Sequence, residues 1–200
     1  MKIMKKITLI TILLSVFAII NAQENSEILG ADSVLLVPRN ELILTQEIRE
    51  MLDTSIFSRM KNWSDQLLSM YGIKNREQLN SLQFGKPIPL YALDNGKLRF
   101  LNSWRMLVLS DGEPLHFVTV DLEEDGQYGW GGSGSALGAP IFYNYEHKDL
   151  IIGKVEVYPE HYFIIRKDNK DIFVKSYDYK TRKQFSGEYS LPDIINLIKE

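Results

Sequence analysis

Residues 88–101 read IPLYALDNGKLRFL. Two largely apolar runs, 88–93 and 97–101, flank Asp94-Asn95-Gly96. An Asn-Gly pair in that setting predicts a tight hairpin turn, because both central residues must take positive φ. The same punctuation recurs downstream. Residues 106–109 run into Asp111-Gly112, residues 115–122 return from it, and Asp125-Gly126 turns again toward Tyr128-Gly129-Trp130. In the return, His116, Val118 and Val120 alternate with Phe117, Thr119 and Asp121, the period of two that sends side chains to opposite faces of a sheet. Three more strands are predicted over 151–158, 162–166 and 172–177, the last two joined by Asp168-Asn169-Lys170-Asp171. Turns this short connect only antiparallel neighbours.

Upstream of Pro87 the period becomes helical. Leu42, Ile43, Ile48, Met51 and Leu52 fit one amphipathic segment, and Asp53-Thr54-Ser55 offers a bend or a new N-cap. Ile56, Met60, Trp63, Leu67 and Tyr71 then recur at steps of four, three, four and four, which predicts one helix over 56–71. Gly72 stands where a C-terminal cap belongs. Asn75 with Gln78 makes a capping-box pattern for a short helix through Leu82. At the other end, Ser190 as N-cap, Pro192 in the first turn and Ile194, Ile195, Leu197 and Ile198 predict a final helix. Helices, then a run of strands, then a helix make the chain α+β: N-terminal helices packed on an antiparallel, hairpin-rich sheet with a C-terminal helix.

The first 22 residues carry Lys2, Lys5 and Lys6 with no acidic residue. An apolar run from Ile7 to Ile20 follows, broken by Thr8, Thr11 and Ser15, and Asn21-Ala22 ends it before Gln23. This is the pattern of a cleaved secretory signal peptide. The run falls short of the roughly 20 apolar residues that span a bilayer, so no stable membrane insertion is expected after cleavage. Residues 23–33 read as a flexible leader and 34–200 as one globular domain. The expected location is periplasmic or extracellular. The chain has no Cys, which excludes disulfides, thiol chemistry and thiolate zinc. Losing the three leader lysines leaves 20 basic against 26 acidic residues, a net −6. That balance gives no electrostatic reason to seek nucleic acid, and the expected partner is another envelope or extracellular protein.

The glycine-rich segment 129–138, GWGGSGSALG, contains no lysine and does not fit G-x-x-x-x-G-K-[ST]; G-x-G-x-x-G counted from Gly132 fails at Leu137, and the preceding strands read as a meander, not the βαβ unit that a dinucleotide loop needs. It reads as a flexible connection between sheet segments. Ser133 or Ser135 with His116 supplies the residue types of a hydrolase, but Ser135 occupies the second glycine position of G-x-S-x-G. No two of His116, His147 and His161 are close enough in sequence to chelate a metal. Asp121, Glu123, Asp125 and Gly126 form D-x-E-x-D-G, the first half of an EF-hand-type loop, yet position twelve is Gly132 where a bidentate Glu is needed. Weak calcium binding is the most this half-match implies, and no other cofactor is expected. Tyr128 and Trp130 make a candidate aromatic platform for a sugar or peptide, and tyrosines are dense after Ala139, as at protein-binding surfaces. The functional expectation is an exported, non-catalytic binding module, with a hydrolase using His116 and Ser133 or Ser135 as the alternative.

Overall fold

The computed structural model describes residues 36–134, 136–157, 160–178 and 180–198. The signal peptide and leader lie outside the described residues. The elements below belong to the unit Arg39–Glu200. Its class is α+β, a mostly antiparallel sheet with a few helices.

The strands are β1 (Leu82–Phe84), β2 (Ile88–Asp94), β3 (Lys97–Ser110), β4 (Glu113–Leu122), β5 (Tyr128–Ser133), β6 (Ile151–Val157), β7 (Glu160–Lys167), β8 (Lys170–Asp178) and β9 (Lys183–Tyr189). They lie in the order β5-β4-β3-β2-β6-β7-β8-β9, with β1 also paired to β3. Three hairpins close through two-residue turns whose central residues all have positive φ: Asn95 and Gly96, Asp111 and Gly112, Asp168 and Asn169. This is the turn whose twist matches that of the flanking strands. Strand β3 is long enough for β1 to pair with its C-terminal half and β2 with its N-terminal half, Phe84 facing Val108 and Ile88 facing Arg105. The segment from β5 to β6 returns the chain to the far edge of β2, so β2 and β6 are parallel, Tyr91 facing Val155. Turn punctuation alone gives no sign of that pairing, since a parallel neighbour needs a long crossover.

The helices are α1 (Gln46–Leu52), α2 (Ser58–Met60), α3 (Asp65–Met70), α4 (Gly138–Tyr143) and α5 (Leu191–Ile198). Asp53-Thr54-Ser55 does not bend the chain away; Asp53–Phe57 is a π-helical turn that joins α1 to α2. The single helix expected over 56–71 is interrupted instead at 61–64, where Ser64 starts α3 by accepting from the Leu67 N–H at 3.3 Å. The restart moves the buried face by one residue, so Leu68 is buried and Leu67 only half-buried. Ser64→Ala removes this cap, and we expect a loss of about 1 kcal/mol, read as a lower urea midpoint at unchanged slope. Asn75 and Gln78 do form a reciprocal capping box, over a 3₁₀ turn at Arg76–Asn80. The carboxylate of Asp193 and the hydroxyl of Ser190 cap α5 in the same reciprocal way.

Two apolar clusters form around the sheet. Ile48, Leu52, Ile56, Met60 and Leu68 of the helices meet Trp104, Met106, Val108, Val118 and Val120 of β3 and β4. The second cluster gathers Ile88, Leu107, Ala139, Phe142, Ile151 and Phe163. Met106 and Leu107 fall in different clusters because neighbours along a strand point to opposite faces. An apolar hollow opens beside the second cluster, and Arg105 and Lys154 are among the residues that line it.

Candidate functional site

The glycine-rich segment is partly strand and partly helix. Its first half is β5, and its last residue, Gly138, opens α4. Gly134 and Gly138 let the backbone pass close over Phe117, where an added Cβ would sit 3.2 Å from the Phe117 Cβ and 3.6 Å from its Cε2, respectively. Ala139 and Phe142 of α4 are then buried against the sheet. From Phe117 a train of rings crosses the sheet. Phe142 lies edge-on to it at 5.7 Å, Phe163 follows at 5.2 Å, and Phe185 stacks on Phe163 at 5.5 Å. Tyr145 closes the train, stacked on Phe185 at 4.0 Å.

Between α4 and these strands lies a cleft of about 280 Å³, walled by Phe117, Phe142, Phe163, Phe185, Ile88 and Ile141. Clefts of a few hundred Å³ with mostly apolar walls and a few polar groups are the usual form of a small-molecule site. Leu137 at the rim is 83% exposed, an apolar side chain held out beside an apolar hollow.

The charged side chains of the wall are cationic, beside the neutral polar Ser176, Tyr177 and Gln184. Arg105 of β3 and Lys154 of β6 both line the cleft. They share one carboxylate: Lys154 Nζ lies 3.0 Å from Glu156 Oε1, and Arg105 Nη1 lies 3.7 Å from the same oxygen. Burial and the Arg105 charge push the Lys154 ammonium below the usual lysine range. Burial raises the Glu156 carboxyl, but the charges of Lys154 and Arg105 outweigh it and hold the group below the usual carboxylate range. His161, facing Glu156 across β6 and β7, is pushed down by burial and by the Lys154 charge. The Arg105 Nε and the His161 Nδ1 are buried without a hydrogen-bond partner.

The residues singled out in the sequence lie elsewhere. His116 is wholly buried: it is 0% exposed and its Nδ1 lies 3.0 Å from the Tyr71 carbonyl oxygen. The Ser133 hydroxyl is buried with no hydrogen-bond partner, so no hydrogen bond joins it to His116. Ser135 lies outside the described residues. Tyr128 and Trp130 are half-buried and pack against the first apolar cluster, with Tyr128 tilted on Trp104 at 6.1 Å. Asp121 and Glu123 lie over Gly131 and Gly129 of β5, while Asp125 accepts from the Gln127 N–H at 2.9 Å to close its turn. Among the described residues no group of three or more metal-binding side chains comes together, and no helix is long and apolar enough to cross a membrane.

Arg105 and Lys154 carried no local motif. They belong to strands 49 residues apart and meet only through the β2–β6 pairing. The one legible hint is local: each charge interrupts a short apolar run, Arg105 between Trp104 and Met106, Lys154 between Ile151-Ile152-Gly153 and Val155. A comparison with protein-family models, curated proteins and solved structures gave no match.

Proposed function

We propose that this protein is an exported, non-catalytic binding module that takes a small apolar ligand between α4 and the sheet. In this reading, the N-terminal helices and α5 are scaffold, and the face bearing α4 is the working face. The observation that supports it is the cleft itself: about 280 Å³ walled by four phenylalanine rings, beside an exposed Leu137. A packed interior seldom leaves such a space, because an unfilled apolar void costs its lining the contacts it lacks. The rings are braced against one another, so the space is formed before anything enters it.

A neutral naphthylamine fluorophore tests this reading. It is expected to brighten and shift to the blue on mixing with the purified protein. Ile141→Trp, which puts an indole into the cleft from α4, is expected to weaken that binding by about tenfold or more while leaving the fold intact by circular dichroism. No enhancement with the unaltered protein, or equal enhancement with the variant, overturns the reading.

A further inference from the structure

The charges on the cleft wall do not balance. Arg105 and Lys154 bring two positive charges and Glu156 one negative, all within 4 Å of one carboxylate oxygen. The other groups whose charges bear on this cluster, Glu160 and His161, add no net charge to it. Glu160 is paired with Lys175 at 3.3 Å on the β7–β8 side, and His161, pushed down by burial, carries no charge at neutral pH. Arg166 is engaged twice by Asp171, at 2.8 and 2.9 Å. One positive charge is therefore left over beside a space walled mostly by rings and aliphatic side chains.

An unbalanced buried charge is costly, and proteins meet it with a counter-ion or a ligand. The Arg105 guanidinium also has its Nε buried and hydrogen-bonded to nothing. A planar fork with a free N–H matches a carboxylate, which can take two parallel hydrogen bonds from it. The Lys154 side chain is only 9% exposed, and the hydrogen bond described for it, to Glu156, uses one of its three ammonium protons and leaves two for another acceptor.

Resting on the cleft reading above, we propose that the ligand is an amphipathic monocarboxylate: a free acid whose head lies against Arg105 and Lys154 and whose chain lies among Phe117, Phe142 and Phe163. One anion neutralises the leftover charge; a second would restore an imbalance of the opposite sign. The modest volume suits a medium-length alkyl chain or one aromatic ring, not a diacyl lipid. The same alternation of apolar wall and cationic spot also discriminates against neutral alcohols, which fill the space but leave the guanidinium unmet.

The test is displacement of the bound fluorophore by octanoate and by octanol, two ligands of equal chain length. Near pH 7 the acid is expected to compete about tenfold more strongly than the alcohol. Arg105→Met and Lys154→Met each remove the leftover charge. Either variant is expected to bring the acid and the alcohol to within about threefold of each other, while fluorophore binding persists and reports an intact cleft. Equal competition by acid and alcohol with the unaltered protein overturns the carboxylate inference and leaves the cleft reading standing. Failure of the fluorophore to bind removes the cleft reading itself. N-acetyl-leucylphenylalanine outcompeting octanoate overturns the free acid as occupant, since a peptide terminus would then be the preferred source of the carboxylate.

Discussion

Gly72→Ala is expected to destabilise the folded protein by about 3 kcal/mol, making it one of the most damaging methyl additions in the chain. Gly72 follows α3 as the residue in the left-handed region, with φ at +77°. Two bonds close the helix around it. The Gly72 N–H donates to the Ser69 carbonyl at 3.0 Å, and the Ile73 N–H donates to the Leu68 carbonyl at 3.1 Å. This is a Schellman motif, and its usual apolar contact is present because Leu68 and Ile73 are both buried in the first cluster. Alanine at this φ costs about 1 kcal/mol by itself. The larger part comes from the neighbour: a Cβ on Gly72 would lie 2.7 Å from the carbonyl oxygen of Leu115. That atom is backbone in β4, fixed between Pro114 and His116, which pair with Leu109 and Val108 of β3, and it cannot swing aside as a side chain would. Helix and strand must separate. Urea unfolding followed by far-ultraviolet circular dichroism measures the loss. As a control, Gly112→Ala has a similar φ but nothing within 4 Å of the added atom, so only the backbone strain remains. Equal losses in the two variants would show that the close approach at Leu115 carries no energy.

Gly72 was legible in the sequence because a cap is a local matter: one glycine, after one helix, at one φ. The three two-residue hairpin turns were legible for the same reason, as was the capping box at Asn75 and Gln78. What lies against Gly72 was not. Leu115 follows it by 43 positions, and the close approach depends on an irregularity in the β3–β4 pairing, where the register shifts between Val108 and Leu109. Such a shift leaves one residue extra on the facing strand, and Leu115 and His116 both turn toward the helices. Strict alternation would have sent them to opposite faces. The break at 61–64 shows the same limit from the helical side. Apolar steps of three and four run straight through it, but Ser64 prefers the cap to the helix interior, and a side-chain period cannot register that competition.

The cleft was less legible still. Its walls come from β2, β3, β4, β6, β7, β8 and β9 and from α4, a helix of six residues that opens on a glycine. Glycine and proline in 138–143 argue against a helix by propensity. Burial of Ala139 and Phe142 outweighs that preference, as tertiary packing often does for short elements. The aromatic density after Ala139 was visible, yet density says nothing of direction. In the folded chain Tyr143 and Tyr145 are partly buried against the second cluster, Tyr145 as the end of the ring train, and not as an open surface.

The histidine at the same helix–strand junction makes the protein acid-sensitive. His116 is 0% exposed, and the Tyr71 carbonyl can only accept, so Nδ1 carries the proton and donates to it at 3.0 Å. Nε2 is then a bare lone pair, buried with no partner. Adding a second proton there would place an imidazolium among apolar side chains, with an N–H that bonds to nothing. Burial accordingly pushes the His116 pKa down to about 4, the Tyr71 hydrogen bond opposing it only in part. In the unfolded chain the same ring titrates near 6.5. The sign follows from these two values. Above about pH 6.5 the ring is neutral in both states and contributes no slope. Between about 6.5 and 4 the unfolded chain binds a proton that the folded chain refuses, so stability falls with pH, by about 3 kcal/mol in total. Below the folded value both states are protonated and the slope vanishes. His116→Gln keeps a donor for Tyr71 but cannot titrate. Urea unfolding at neutral pH and near pH 4.5 is expected to show the unaltered protein losing about 2 kcal/mol more than this variant over the same interval. An NMR titration of the His116 ring gives the independent check: a folded-state midpoint near 6.5, or parallel acid losses in the two proteins, would mean that the ring meets water or a counter-charge at Nε2.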